Sequence, residues 1–270
     1  MRVLILGDIY GKPGRRAACE LAGELRMRWG VDWIIANGEN ATAGAGLSAR
    51  HRNGLLAAGI DVLTSGNHIF ARPDWTDLLK GDGGKVLRPH NLGGDALPGK
   101  GWTVLGAGTP LALGVINLAG RVFMEPGECP FRTADRLLEK LPPGIPVLVD
   151  IHAEATSEKI ALGWYLDGRV TAVVGSHTHV QTADERILPG GTAYITDLGM
   201  TGPRDGVLGV DRQLVVDRFC RGFSDKFRPA LGDVVLEGVV IEIASDGKAV
   251  SIRRLREAGP AATAADDGEG

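Results

Sequence analysis

The chain has 270 residues, enough for one large domain or two small ones, and its 44% hydrophobic content can supply a sizeable core. Aromatics are few, at 5%, while 40 glycines point to many tight turns and close backbone approaches. A formal net charge of −3 provides no whole-protein basic field, which disfavours tight, sequence-blind binding to long nucleic acid; a small anionic substrate would have to be drawn in by local charge.

In chain order, the apolar run Val3 to Leu6 predicts a buried first strand. Met1 to Leu6 is too short for a signal-peptide core or a membrane span, and no other stretch approaches a span. Pro13 marks the opening of the next helix, because a proline at the first helical position forfeits no hydrogen bond. Helix-forming residues then run from Arg15 to Trp29, with Gly30 as the stop. A strand at Trp33 to Ala36, a helix at Ser48 to Ala58 with Ser48 as its N-cap, and a strand at Val62 to Thr64 follow. This alternation implies right-handed crossovers and parallel pairing.

The middle is less helical. Trp102 to Gly106 and Leu111 to Leu118 predict strands, and Thr133 to Leu141 predicts a helix closed by Pro142 and Pro143. Val147 to Ile151 and Val170 to Val174 have the continuous apolar character of buried parallel strands, with a helix at Thr156 to Leu166 between them. Further strands are expected near Arg186 to Leu188, Thr192 to Ile195, Val234 to Ile243 and Ala249 to Leu255. The last two are joined by a hairpin signal at Asp246-Gly247. Residues 257–270 are Ala, Gly and acid, the composition of a disordered tail. No repeat or linker divides the rest, so residues 1–256 are expected to form a single domain. The class is α/β, with more strands than a simple three-layer sandwich needs; two packed sheets with helices outside would use them well.

Six short islands hold the polar residues that can do chemistry. They are Gly7-Asp8-Ile9-Tyr10-Gly11, Asn37-Gly38-Glu39-Asn40, Ser65-Gly66-Asn67-His68, Arg88-Pro89-His90-Asn91, Asp150-Ile151-His152-Ala153-Glu154 and Gly175-Ser176-His177-Thr178-His179. Most follow a short apolar run, where a parallel strand would end and where side chains can converge on one sheet edge. Oxygen and imidazole donors converging in this way suit hard and borderline cations. Asp8 can reach a cation from the first strand, and Glu39 can bridge two cations about 4 Å apart. Asn67, and with it Asn40, offers a neutral amide oxygen where a third carboxylate would over-neutralise the site. His177 and His179, two apart on an extended segment, would share a face, and His152 ends the preceding strand. Two divalent ions against Asp8 and Glu39 leave about +2, enough to hold a phosphate ester and acidify a bridging water.

His68 would lie beside the metals and is the expected proton donor to the leaving alkoxide. His51 and His90 are expected to be structural, as are Cys19, Cys129 and Cys220, which lie in none of the islands and form no disulfide framework. Sparse cysteines fit a reducing cytoplasm. Gly7 to Lys12 imitates a nucleotide P-loop, but the spacing is one residue short and Pro13 stands where Ser or Thr should be. Tyr10, Phe70 and Trp75 could stack on a base, although core packing is the more ordinary fate of each.

Through Gly66-Asn67-His68 and Gly175-Ser176-His177-Thr178-His179 the chain resembles the calcineurin-like metallophosphoesterases. More narrowly, it resembles the bacterial YmdB-like 2',3'-cyclic-nucleotide phosphodiesterase family. That likeness is carried by Gly7 to Arg15, Asn37 to Ala41, Asp150 to Lys159 and Ala161 to Pro203, and it covers nearly the whole chain up to about residue 205. The resemblance implies a four-layer α/β/β/α sandwich of two mixed sheets around two metal ions, iron foremost, with manganese or zinc as alternatives. It implies one metal held by Asp8, Glu39, Asn40 and His179, the other by Glu39, Asn67, His152 and His177, and His68 as proton donor. Where the wider superfamily has Asp-x-His and a bridging Asp, this chain has Tyr10 and Glu39. Ala71 stands where the subfamily often has Asp, and Arg221 to Pro229 follows the family pattern only loosely.

The expected activity is hydrolysis of 2',3'-cyclic nucleotides to nucleoside 3'-phosphates by a metal-bridging hydroxide, with a small phosphodiester as substrate. The alternatives are a broader phosphodiesterase or phosphomonoesterase, including one acting on RNA ends, and a non-catalytic RNA-binding regulator that retains the fold. Relatives further suggest a homo-oligomer.

Overall fold

The computed structural model describes residues 1–80 and 83–266. In chain order its elements begin with β1 (Arg2–Leu6), β2 (Asp8–Ile9), α1 (Gly11–Trp29), β3 (Trp33–Asn37), α2 (Ala49–Ala57), β4 (Val62–Thr64) and α3 (Trp75–Lys80). Next come β5 (Trp102–Leu105), β6 (Leu113–Ala119), α4 (Pro130–Lys140), β7 (Val147–His152), α5 (Thr156–Leu166) and β8 (Ala172–Ser176). The chain closes with β9 (Arg186–Ile187), β10 (Ala193–Ile195), β11 (Met200–Pro203), α6 (Arg212–Arg221), β12 (Gly232–Ile243) and β13 (Ala249–Ala262).

The strands form two mixed sheets. The first has the order β2-β11-β12-β1-β3-β4, with β13 also paired to β12; the second runs β5-β6-β7-β8-β10-β9. β1, β3 and β4 are mutually parallel, as are β6, β7, β8 and β10. β12 joins β1, β11 and β13 antiparallel, and the hairpin expected at Asp246-Gly247 connects β12 to β13.

Strand alternation explains the layering. Successive residues of a strand face opposite sides. Val3 and Ile5 of β1 pack with Val239 and Ile241 of β12, and with Leu148, Ala172 and Val174 of the other sheet, between the two sheets. Leu4 and Leu6 face the other way, onto Ala18, Ala22 and Leu25 of α1 and Leu55 of α2. In the second sheet Val149, Ile151 and Val173 turn outward onto Leu137 of α4 and Leu162 of α5. The result is the expected four-layer α/β/β/α sandwich.

Local chemistry starts α1 earlier than the sequence pattern and agrees with it at two other helix ends. α1 begins at Gly11, so Pro13 is its third residue, still within the first turn where no N–H partner is lost. Gly30, at φ +56°, is the left-handed stop. The Ser48 side chain accepts a hydrogen bond from the His51 N–H, as an N-cap should.

The tail departs from the disorder expected of residues 257–270. β13 continues to Ala262 and a 3-10 turn spans Ala264–Asp266, so 257–266 are ordered; 267–270 lie outside the described residues. Composition missed this because the stabilising partners are on α1. Arg16 donates to the carbonyl of Ala261 (2.5 Å) and pairs with Asp266 (3.2 Å), Lys12 donates to the Ala265 carbonyl, and Ala17 packs against Val234 and Ala262.

Candidate metal centre

Five islands are delivered by the C-terminal ends of parallel strands from both sheets. β1 leads to Asp8, β3 to Glu39 and Asn40, and β4 to Asn67 and His68; β7 ends in His152, and β8 leads to His177 and His179. The edge between the sheets is therefore lined with donors, as the topology of α/β proteins favours. The sixth island is elsewhere in role. Buried Arg88 donates to the carbonyls of Pro98 (2.8 Å), Leu97 (3.0 Å) and Leu92 (3.1 Å), and Asn91 bonds the backbone of Ala119 and Glu128. Arg88 and Asn91, with His90 between them, brace a loop.

Glu39, His152 and His177 form the tightest group, each offering a donor atom within 4.8 Å of the others. His152 Nε2 is 3.0 Å from Glu39 Oε1 and 3.0 Å from His177 Nδ1. Ligands that share one ion at roughly 2.1 Å sit about this far apart. Asp8 and His179 adjoin the group: Asp8 Oδ1 is 3.8 Å from His179 Nε2 and 3.9 Å from His152 Nδ1. Asn40 Nδ2 lies 3.1 Å from His179 Nε2 and 3.3 Å from Glu39 Oε1. The Asn40 nitrogen, rather than its oxygen, faces this side; a half-turn of the carboxamide exchanges them.

Each histidine is fixed by a partner on its far nitrogen. His177 Nε2 faces Glu154 (3.3 Å), His179 Nδ1 faces the Leu208 carbonyl (3.0 Å), and His152 Nδ1 faces Ser176 Oγ (3.0 Å). Ser176 in turn donates to Asp150 (2.8 Å). Metal-binding imidazoles are usually oriented by such partners, which decide which nitrogen carries the lone pair. Gly66 closes the cradle: a Cβ there would strike the His152 ring and the Glu39 carboxylate.

Electrostatics agree. Burial would raise the Glu39 pKa, but His152 and His68 overcome it and hold the value at about 2. Burial opposes charge on His152, yet Glu39 and Asp8 lift its pKa to about 9. Burial and His152 push His177 down to about 3, so its lone pair is free. Burial also raises Asp8. The Glu39 carboxylate thus holds positive charge at the centre.

Two buried oxygens test whether metal ions fit. Asp8 Oδ1 and Asn67 Oδ1 have no hydrogen-bond partner, although unsatisfied buried acceptors are rare and costly. Both belong to expected ligands. With three imidazoles, two carboxylates and two amides, the donor set fits a pair of borderline cations.

His177 and His179 do not share a face of an extended segment. β8 stops at Ser176, and the two residues have φ of +104° and +61°, so a bend past the strand end turns both rings inward. Lys159 and Asp197 were not singled out by the sequence, and Ser176 stood in an island without an assigned role; their partners lie far along the chain. Tyr10 packs edge-on against His179 (5.8 Å), and Phe70 against Trp75 (5.1 Å), so these aromatics serve the core. His51, in α2, is 2.8 Å from Thr42 Oγ1 and remote in role.

Comparison with known proteins bears on the same region. The family model for YmdB-like proteins matches residues 4–255. The chain belongs to the YmdB-like family. Among its relatives is the 2',3'-cyclic-nucleotide 2'-phosphodiesterase of Bacillus subtilis (strain 168), 47% identical over 258 residues, covering 94% of this chain and 96% of that protein. Two crystal structures superpose closely. A hypothetical protein from Thermus thermophilus gives a TM-score of 0.89 at 41% identity, covering 96% of this chain and 100% of that one. A novel phosphatase from Mycoplasma pneumoniae gives 0.88 at 33% identity, covering 98% and 95%. The matched span includes every residue of the YmdB-like centre described above.

Proposed function

We propose that the chain is a metal-dependent phosphodiesterase that hydrolyses 2',3'-cyclic nucleotides to nucleoside 3'-phosphates. The observation that carries this reading is the group Glu39, His152 and His177 flanked by the unpartnered oxygens of Asp8 and Asn67. The Bacillus subtilis relative supplies the ester.

In this reading Asp8, Glu39, Asn40 and His179 hold one ion, and Glu39, Asn67, His152 and His177 the other. When bound, the ions supply Lewis acidity, offsetting charge on the phosphoryl oxygens and acidifying the attacking water. Iron is the first choice, with manganese or zinc as substitutes; no thiolate enters the set, since all three cysteines lie elsewhere. Glu39 anchors the His68 loop by accepting its backbone N–H (2.9 Å).

His68 is the proton donor. Its side chain is 43% exposed, against 1% for Glu39, so it stands at the mouth of the centre. Its Nδ1 is 2.6 Å from Asn40, which leaves Nε2 for proton transfer. The Nε2–H is then the proton available to a leaving ribose oxygen. The proposed substrate is a small phosphodiester or an RNA end, and the enzyme is proposed to act in a reducing cytoplasm as a homo-oligomer. No helix among the described residues is long and apolar enough to cross a membrane.

A broader phosphatase reading has one observation in its favour, the Mycoplasma pneumoniae neighbour described as a phosphatase. A panel of 2',3'-cyclic and 3',5'-cyclic nucleotides, cyclic dinucleotides and p-nitrophenyl esters separates the two. Preference for the 2',3'-cyclic esters supports the proposal; preference for a monoester contradicts it.

A further inference from the structure

Lys159 is the fourth residue of α5 and is fully buried, with its Nζ 2.7 Å from the equally buried Asp197. Withdrawing two charges from water costs several kcal/mol per ion, and an apolar pair of similar volume would often serve stability as well. Core stability alone therefore does not account for this pair.

The contacts of Asp197 supply another reason. Its Oδ2 also accepts the Thr178 N–H (3.1 Å) and the Thr178 hydroxyl (2.8 Å), and its Oδ1 accepts the Gly199 N–H (2.9 Å). Thr178 sits between His177 and His179, both held at positive φ. Such backbone costs on the order of 1–3 kcal/mol per residue and persists only where surroundings over-determine it. On the other side, the Gly199 carbonyl accepts the Asp8 N–H (3.2 Å). One carboxylate thus ties the histidine loop of the second sheet to the Asp8 junction of the first. Gly175 makes room first for the Thr196 backbone and then for the lysine stem, since a Cβ there would strike the Thr196 carbonyl oxygen and come within 2.8 Å of Lys159 Cδ.

We propose that Lys159 and Asp197 are positioning residues: a buried ionic clamp that presets His177, His179 and Asp8 as ligands from both sheets. The inference rests on the metal-centre reading, and not on which phosphate ester is hydrolysed. Lys159 neutralises the carboxylate so that it can remain buried beneath the loop. Asp197 supplies the acceptor that holds Thr178.

The test is Mn2+ binding to full-length protein by equilibrium dialysis, with thermal unfolding in parallel. In the Lys159→Met/Asp197→Leu double variant the apolar replacement is expected to keep the fold, while Mn2+ affinity falls about 10–100-fold, the range seen when supports of metal ligands are removed. Thr178→Val removes only the hydroxyl contact and leaves the ion pair, so it covers the case in which the double variant does not fold. It is expected to weaken Mn2+ binding several-fold at unchanged Tm. Wild-type Mn2+ affinity in a folded double variant, or in Thr178→Val, overturns the proposal. If wild-type protein binds Mn2+ but leaves 2',3'-cyclic nucleotides intact, the proposed function fails while the clamp still stands or falls on its own result.

Discussion

Gly66 is the residue at which a single methyl group would meet the metal centre. A Cβ at that position would collide with both the His152 ring and the Glu39 carboxylate, two of the three groups that form the tightest donor set. Gly66→Ala is expected to abolish stoichiometric metal in the purified protein while leaving its far-UV circular dichroism unchanged; full metal content in that variant would contradict the geometry. His68 presents the complementary case. As the proposed proton donor at the mouth, and not a proposed ligand, it should be dispensable for metal binding. His68→Ala is expected to lower kcat by about 10²–10⁴, with elemental analysis showing the same metal per chain as wild type. The convergence of these residues was legible because Asp, Glu, Asn and His followed apolar runs that end as strands. The means of aiming His177 and His179 was not, because positive φ on a non-glycine residue has no sequence signature. Asp197 was equally hidden: it lies 38 positions from Lys159 and 19 from Thr178.

At the scale of elements, α1 does two jobs. Its inner face packs on the first sheet through Ala18, Ala22 and Leu25, and its start holds the end of β13 through Lys12 and Arg16. Gly259 permits the close approach, since a Cβ there would fall 2.8 Å from the Ala17 methyl. Deleting residues 257–270 is therefore expected to lower Tm by several degrees in differential scanning calorimetry while leaving metal content at the wild-type level. An unchanged Tm would mean that the strap contributes nothing. The long buried strands β1, β3, β7 and β12 were readable from their apolar runs. The two-residue β2 and the four-residue β11 were not, because β2 exists only through its pairing with β11, and β11 through its pairing with β2 and β12. α6 was not expected, although Asp211 accepts the Gln213 N–H and Gly222 closes the helix at φ +79°. Its Phe219 is 85% exposed, so the apolar face that normally announces a helix was weak.

Across the whole molecule, the candidate centre lies where two sheets meet and draws its donor groups from each. Asp8, Glu39, Asn40 and Asn67 come from one, and His152, His177 and His179 from the other. Bound ions would cross-link the sandwich, and ligands that bind only the folded state raise its stability. Removing metal with a chelator is expected to lower Tm by several degrees, and adding Mn2+ back to restore it; an indifferent Tm would argue against ligands drawn from both sheets. The layered α/β architecture was legible because strand and helix periods alternate along the chain. Strand order was not, since pairing β1 with β12 spans most of the sequence. The most direct test is steady-state hydrolysis of a 2',3'-cyclic nucleotide by metal-replete protein, with the product identified by chromatography. Catalytic release of the nucleoside 3'-phosphate is the predicted result; no turnover, or release of the 2'-phosphate instead, would contradict it.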